Sequence, residues 1–355
     1  MNNHQDIYDF LLIGQGLAGS TLADLLMQNG YSVLVIDRNE TGTSSKIAAG
    51  IINPIVFKRL TLSWKVNTLL PFAKNYYHNI ESQTKEKLLF SITIYRIFSN
   101  ENEYNFWEQQ CNEPHLIDYL SEPEKGKFNP HFETPYGYGK VLQAGFLDTK
   151  KYIAFIRGKL LAQNSYIEHS FNYNDLKVES NKIHYNNIRA KKIIFCQGWE
   201  DAKNPFFKHL DIFKLTKGEV LTVQPENNID FEEEISKGIF FLKHIDHYKI
   251  GATYNWEDLT PTPTEKAKNS LLEKFNTFSK FNVNIIHHLA GIRPTVKDRR
   301  PVIGFLSNKP QIGIFNGLGT KGVMIAPWLA SHFLDHLKNN KPIDKEININ
   351  RFEKL

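Results

Sequence analysis

Only two cysteines, Cys111 and Cys196, occur in 355 residues, which excludes a disulfide framework and any metal site built on paired cysteines. Cys196 lies inside the apolar run KKIIFCQGW and reads as a small buried hydrophobe. No apolar run reaches the roughly 18 residues that a membrane-spanning helix requires. The opening MNNHQDIYDF lacks a basic segment followed by an apolar one, so no signal peptide and a cytoplasmic location are expected. Lysine and arginine total 43 against 38 aspartates and glutamates, a net charge of +5. They form no run, so no nucleic-acid groove is expected, although the balance mildly favours acidic substrates. Also missing are an internal repeat, a low-complexity linker, and any Ser-His-Asp or paired-carboxylate signature. With 41% hydrophobic and 23% charged residues, the chain has the composition of a globular protein with ample core.

What is present begins with a strand–helix–strand unit over residues 7–37. IYDFLLIG reads as a short apolar strand. LAGSTLADLLMQNG reads as a helix with Leu22, Leu25 and Leu26 on one face and Gly30 at its C-terminal end, and YSVLVID as a buried strand. Gly14-Gln15-Gly16-Leu17-Ala18-Gly19 stands between the first strand and the helix, and Asp37 ends the second strand. In that context GxGxxG marks a dinucleotide site. Gly14 permits the tight turn, Gly16 lets the backbone approach a pyrophosphate, and Gly19 allows close helix–strand packing. The helix N-terminus attracts the phosphates, and Asp37 would accept from a ribose hydroxyl.

Further along, TGTSSKIAAGIINP (41–54) is rich in small and hydroxyl residues and precedes a helical stretch from about Trp64 to Ile80. Residues 86–140 are more polar and aromatic. GFLDTKKYIAFIRGKLLAQNS reads as a helix with Asp148 as N-cap, followed by short strands that end at a turn at Gly198. From 211 to 290 the pattern is mostly strand, with one helix near 264–280 and FNVNIIHHLA as a buried strand. The end, PQIGIFNGLGTKGVMIAPWLASHFLDHL, is strand, Gly-rich loop and helix. The expected fold class is α/β. A discontinuous Rossmann-type cofactor domain is expected over 1–85, 141–210 and 291–355, and a second, more β-rich substrate domain over 86–140 and 211–290.

The second loop-to-helix transition, Gly317-Leu318-Gly319-Thr320-Lys321-Gly322, makes little sense for NAD alone. An extended FAD needs both its pyrophosphate and its isoalloxazine held. A helix N-terminus at the ring's N1/C2=O edge would stabilise negative charge on reduced flavin. Four ordered stretches, LLIGQGLAGSTLADLL, SSKIAAGI, GATY…AGIRPTVKDRRPVIG and NGLGTKGVMIAP, span nearly the whole chain. Through them the sequence resembles the D-amino-acid oxidase/glycine oxidase-like family of FAD oxidoreductases. The likeness is greatest to the bacterial glycine oxidase branch and to the oxidase domain of tRNA-modifying enzymes.

That resemblance implies the cofactor contacts. Leu17 and Ala18 would present amides to the pyrophosphate, and Asp37 with Arg38 would hold the adenosine ribose end. Ser44, Ser45, Ala49, Gly50 and Ile51 would line the path to the ring, and Asn172 would make a backbone contact to adenine. Gly198 would close a turn near the flavin. Leu318, Gly319, Thr320, Lys321, Gly322, Val323 and Met324 would wrap its pyrimidine edge. Neither cysteine suits covalent attachment and TGTSSKIAAG has no histidine, so the FAD is expected to be non-covalent.

In GIRPTVKDRRPVIG, Arg293 follows Gly-Ile and precedes Pro294, which favours extended backbone. A guanidinium at the end of a buried strand must meet an anion or carry a large desolvation cost. The resemblance implies that the anion is the substrate's carboxylate. The implied reaction moves a hydride from the α carbon of an amino acid to flavin N5 and gives an imine that water hydrolyses. Tyr254 either faces the substrate or is a core aromatic. Asp298 and Arg299 read as a turn carboxylate and a solvated base. Lys243 and Lys321 are either cations beside the flavin or solvated lysines. His244 and His247 read as the tip of a hairpin, and His287 and His288 as pointing to opposite strand faces. Where relatives carry a substrate-facing tyrosine, spacing back from Tyr254 lands on Ile239, which implies a more apolar pocket. The partner expected is a small amino acid, with no metal, and the oligomeric state is not legible. Two alternatives stay open: a tRNA-modification-type amine oxidase domain and a non-catalytic flavin-binding protein.

Overall fold

A computed structural model describes residues 7–40, 42–126, 128–229 and 231–353. The chain divides into two compact units. One comprises 1–46, 149–216 and 293–355, and the other 47–148 and 217–292.

The first unit is built on strand β1 (Tyr8–Ile13), helix α1 (Leu17–Gln28) and strand β2 (Val33–Asp37). β1 lies between β2 and the strand Ile188–Phe195, parallel to both, with Leu11 beside Leu34 and Ile193. The sheet continues through Lys309–Asn316 to Val302–Leu306 on one side and from β2 to Tyr166–Glu168 on the other. Leu11, Ile13, Leu34, Ile36, Ile193, Phe195, Ile312 and Ile314 fill one face. A parallel strand covered on both faces needs an unbroken apolar run, and FLLI in β1 supplies it. α1 is buried nearly all round and shields its polar groups internally. The Thr21 hydroxyl donates to the Leu17 carbonyl at 2.8 Å, and Asp24 pairs with Lys159 at 2.5 Å. The crossover helix Thr149–Ala162 and the last helix, Gly322–Asn339, both pack on α1.

The second unit carries an eight-stranded mixed sheet ordered Val283–Arg293, Thr216–Pro225, His247–Gly251, Phe240–His244, Glu234–Ser236, Leu89–Ile97, Tyr138–Leu147 and Ile51–Ile52. An aromatic core that includes Phe132, Phe231, Phe241, Tyr248, Phe275 and Phe278 fills one side, with Leu271 and Phe275 supplied by helix Glu265–Asn276. Thr264 caps that helix by accepting from Ala267 N. His244 and His247 do close a two-residue hairpin, cross-paired on either side of Ile245 and Asp246.

Three expectations change. Residues 47–85, 141–148 and 291–292, expected with the cofactor domain, pack in the second unit, and 211–216, expected with the substrate domain, in the first. Helix Val66–Thr84 lies against Leu89–Ile97, and Ile51 pairs with Phe146. FNVNIIHHLA was expected to be a buried strand, yet Asn284, Ile285, Ile286, His287 and Leu289 are exposed. The strand is the sheet's edge, and an apolar run does not distinguish edge from centre. Ile239 is 4% exposed in the aromatic core with Phe241, so it does not make the substrate pocket apolar.

Candidate cofactor and active site

Parallel strands place their C-terminal ends together, and in open α/β sheets ligands bind there. At the end of β1, Gly14 has φ +100°, and a Cβ there would stand 2.7 Å from the Cys196 carbonyl oxygen. A Cβ on Gly19 would run into the Gly14 carbonyl, so helix and turn touch backbone to backbone. The Ser45 hydroxyl accepts from Leu17 N at 3.0 Å and lies over Gly16, which ties the short helix Ser44–Ile47 to the first turn of α1. Cys196 is buried, and burial pushes its thiol well above the usual range, so it is an inert packing group.

Asp37 sits at the centre of a polar nest. Its Oδ2 accepts from Gln15 N at 2.8 Å and its Oδ1 from Asn39 N at 2.7 Å. Each carboxylate oxygen retains further acceptor capacity. Sequence reasoning missed Arg157, which reaches in from the crossover helix. Its Nε donates to Gln15 Oε1 at 2.7 Å, Nη1 donates to Asn39, and Nη2 lies 3.5 Å from Asp37 Oδ1. The Gln15 amide donates to Ser20 Oγ and the Ile153 carbonyl, both at 3.0 Å. Lys46 donates to Asn39 Oδ1, and burial followed by the Arg157 charge lowers its pKa. Arg157 Nη2 and the Tyr166 hydroxyl are both buried beside Asp37, and among the described residues neither makes a hydrogen bond of full geometry. Burial, then the Asp37 charge, pushes the Tyr166 phenol up to about 12. Arg38 pairs with Glu40 and Glu200, each at 2.6 Å.

The second Gly-rich loop meets the first. A Cβ on Gly322 would stand 3.1 Å from Leu17 Cδ2, so the start of the last helix leans on the start of α1. Two helix N-termini, each the positive end of a macrodipole, therefore converge. Asp201, also missed, joins this loop to the one after Ile188–Phe195. Its Oδ2 accepts from Asn316 Nδ2 at 2.7 Å and Gln197 N at 3.1 Å, and its Oδ1 accepts from Asn204 Nδ2 at 3.1 Å. Asn316 also donates to the Gly198 carbonyl at 2.8 Å and accepts from Gly317 N. Leu318, Val323 and Met324 are buried, Gly319, Lys321 and Gly322 are half-buried, and Thr320 is exposed.

Full burial outweighs three donors and raises Asp201 from 3.8 to about 7. A carboxyl raised in the folded state stabilises the fold fully below its unfolded pKa, and that contribution disappears as pH rises through the folded value. Asp201→Asn removes this dependence. The stability difference between variant and parent is expected to grow in the variant's favour by about 4 kcal/mol between pH 4 and 8. Chemical denaturation at the two pH values measures it, and a constant difference would show that Asp201 keeps an ordinary pKa.

The remaining candidates divide between the units. Ala49, Gly50 and Ile51 belong to the second, where Gly50 O accepts from Leu147 N at 3.0 Å. Asn172, exposed in the first, donates its backbone N–H to the Tyr185 hydroxyl at 3.1 Å. Tyr254 is 56% exposed and stacks on Trp256 with centroids 6.3 Å apart, which excludes the core-aromatic alternative. Lys243 lies 4.9 Å from the Tyr248 ring centroid and 3.7 Å from Glu232. Asp298 is more than a turn carboxylate, since it accepts from Arg351 Nε at 2.8 Å. His288 lies 2.8 Å from Glu219, whereas His287 is exposed. Arg293 is half-buried, ends its strand, and is the residue at which the chain re-enters the first unit. Among the described residues no helix is long and apolar enough to cross a membrane.

The fold is that of several solved enzymes. Glycine oxidase from Bacillus cereus aligns with a TM-score of 0.79 at 19% identity, over 94% of this chain and 96% of that one. L-proline dehydrogenase from P. horikoshii aligns at 0.80 and 14% identity, over 98% of each. The bifunctional tRNA 5-methylaminomethyl-2-thiouridine biosynthesis protein MnmC of Campylobacter concisus is 25% identical over 312 residues, covering 84% of this chain and 47% of its own. The chain thus spans about half the length of the curated relatives it matches, 47% and 58% for the first two. The family described as FAD dependent oxidoreductase, DAO, matches residues 9–335. A match over that span, on a nucleotide-type unit with two converging helix N-termini, establishes that the chain belongs to the DAO family of FAD-dependent oxidoreductases.

Proposed function

We propose that the chain oxidises the C–N bond of an amino acid or N-substituted amino acid. The α carbon loses a hydride equivalent and the nitrogen a proton, and water hydrolyses the imine to an oxo acid and an amine. The observation that carries this substrate class is Arg293, a half-buried guanidinium on the last residue of an eleven-residue strand, held extended by Pro294. Its planar fork suits bidentate pairing with an α-carboxylate. Such pairing orients the α carbon, and orientation is the main requirement of a transfer that needs no compulsory protein acid or base. Tyr254 would border the substrate.

The residues of the first unit fit non-covalent FAD. Buried donors at Arg157 and Tyr166 flank Asp37, and Gly14, at φ +100°, makes the tight turn at the end of β1. Gly14, Gly16, Leu17, Ala18, Gly19, Ser44 and Ser45 would hold the pyrophosphate, Asp37 the ribose, and Gly198 with residues 318–324 the ring end. FAD, when bound, supplies the two-electron acceptor. The units would accordingly divide into a cofactor domain and a substrate domain.

Anaerobic mixing with glycine, N-methylglycine, D-alanine and L-proline tests the proposal. At least one is expected to bleach the flavin absorbance. If none does and tRNA does, the alternative suggested by the curated relatives' name holds, in which the substrate is an amine carried on tRNA. If nothing bleaches it, the protein binds flavin without turnover.

A further inference from the structure

The second unit carries a cavity of about 380 Å³ that none of the residues assigned to FAD or substrate lines. Asn67, Leu70, Pro71 and Lys74, at i, i+3, i+4 and i+7, present one face of helix Val66–Thr84 to it. Pro114, His115, Asp118 and Tyr119 of the turn over 114–119, with Gln143, complete the wall. The cavity is well supported. Tyr119 is buried and donates its hydroxyl to Asn67 Oδ1 at 2.8 Å. Gln143, held at φ +58°, donates to the Asp118 carbonyl at 3.1 Å and so fastens the turn to strand Tyr138–Leu147. A non-glycine residue kept in that conformation is a cost the surrounding structure must sustain.

Two opposite charges line this space without meeting. Lys74 is half-buried, and burial alone lowers its pKa, with no anion among the described residues to offset it. Its ammonium forms no ion pair or hydrogen bond with any described residue, nor does the Asp118 carboxylate. A cation and an anion within 4 Å would form a salt bridge, and these two do not. A volume near 380 Å³ falls within the range of small-molecule sites. We propose that this cavity is a second binding site for a small zwitterion of the amino-acid class, with its carboxylate on Lys74 and its ammonium on Asp118. A dianion is disfavoured by Asp118 and a simple cation by Lys74. The tyrosine and amide groups around them supply uncharged hydrogen bonds.

The site is independent of Arg293, and binding stoichiometry on the intact flavoprotein separates the two. Calorimetric titration with L-proline and with glycine is expected to give one event that disappears in Lys74→Met and at least tenfold weaker binding in Asp118→Asn. Arg293→Ala is expected to leave that event intact, and Lys74→Met to leave kcat and the flavin spectrum unchanged. Acetate and methylamine serve as half-ligands and are expected to bind at least tenfold more weakly. A titration unaffected by Lys74→Met in a folded, yellow protein overturns the proposal. So does acetate binding as tightly as glycine in a Lys74-dependent manner, which would mark a plain anion site. If the Lys74-dependent event is present while no amino acid bleaches the flavin, the second site stands and only the substrate assignment fails.

Discussion

Arg293→Ala is expected to raise KM for the amino-acid substrate about 10- to 100-fold while the flavin stays bound. A charge-assisted hydrogen-bonded pair contributes about 1.5–3 kcal/mol, and each 1.4 kcal/mol is tenfold in binding. The arginine ends its strand with its own carbonyl accepting from Thr295 N at 2.8 Å, so truncating the side chain leaves that backbone turn in place. Arg293→Lys keeps a point charge but loses the planar fork, and partial recovery is expected. Steady-state kinetics with the best substrate from the anaerobic panel, together with the flavin content of each variant, provides the check. Unchanged KM removes Arg293 from substrate binding, and loss of flavin would make it a structural residue of the first unit.

Gly14→Ala is expected to yield protein that purifies colourless or fails to fold. Alanine at φ +100° costs on the order of 1–3 kcal/mol, and its Cβ would also stand 2.7 Å from a backbone carbonyl that cannot swing away. The turn and the end of strand Ile188–Phe195 must separate, which moves the first turn of α1. Gly30→Ala is the control. Gly30 also has positive φ, at +80°, but no atom of the described residues lies within 4 Å of the added Cβ. It should lower stability by about 1 kcal/mol without changing FAD affinity. FAD titration of the apoproteins, followed by thermal melts, distinguishes close backbone approach from conformational cost. Equal FAD affinity in Gly14→Ala and Gly30→Ala would show that the turn at Gly14 is not part of the cofactor cradle.

The two missed positions show why part of the site was illegible. Gly14, Gly16 and Asp37 announce themselves because they are close in sequence and their spacing is fixed by one strand–turn–helix–strand unit. Arg157 lies in an ordinary amphipathic stretch and acquires meaning only when the crossover helix is laid beside Asp37, 120 residues away in sequence. Asp201 follows a Gly turn as any solvated aspartate would. It is fully buried because Asn316, from another strand end, closes over it.

From the sequence alone came the features set by local periodicity and stereochemistry: the βαβ unit, the glycines of its turn, the second loop-to-helix transition, the cofactor class and the α/β character. Only the tertiary structure decided which apolar strands are interior, since Ile239 is sealed in an aromatic core while Ile285 and Ile286 lie on an edge. It also decided where the units divide, which carboxylate is buried among donors, and which charges line the second unit's cavity. An amino-acid pattern encodes the face a residue shows to its own helix or strand. What stands opposite that face depends on elements that arrive from remote parts of the chain.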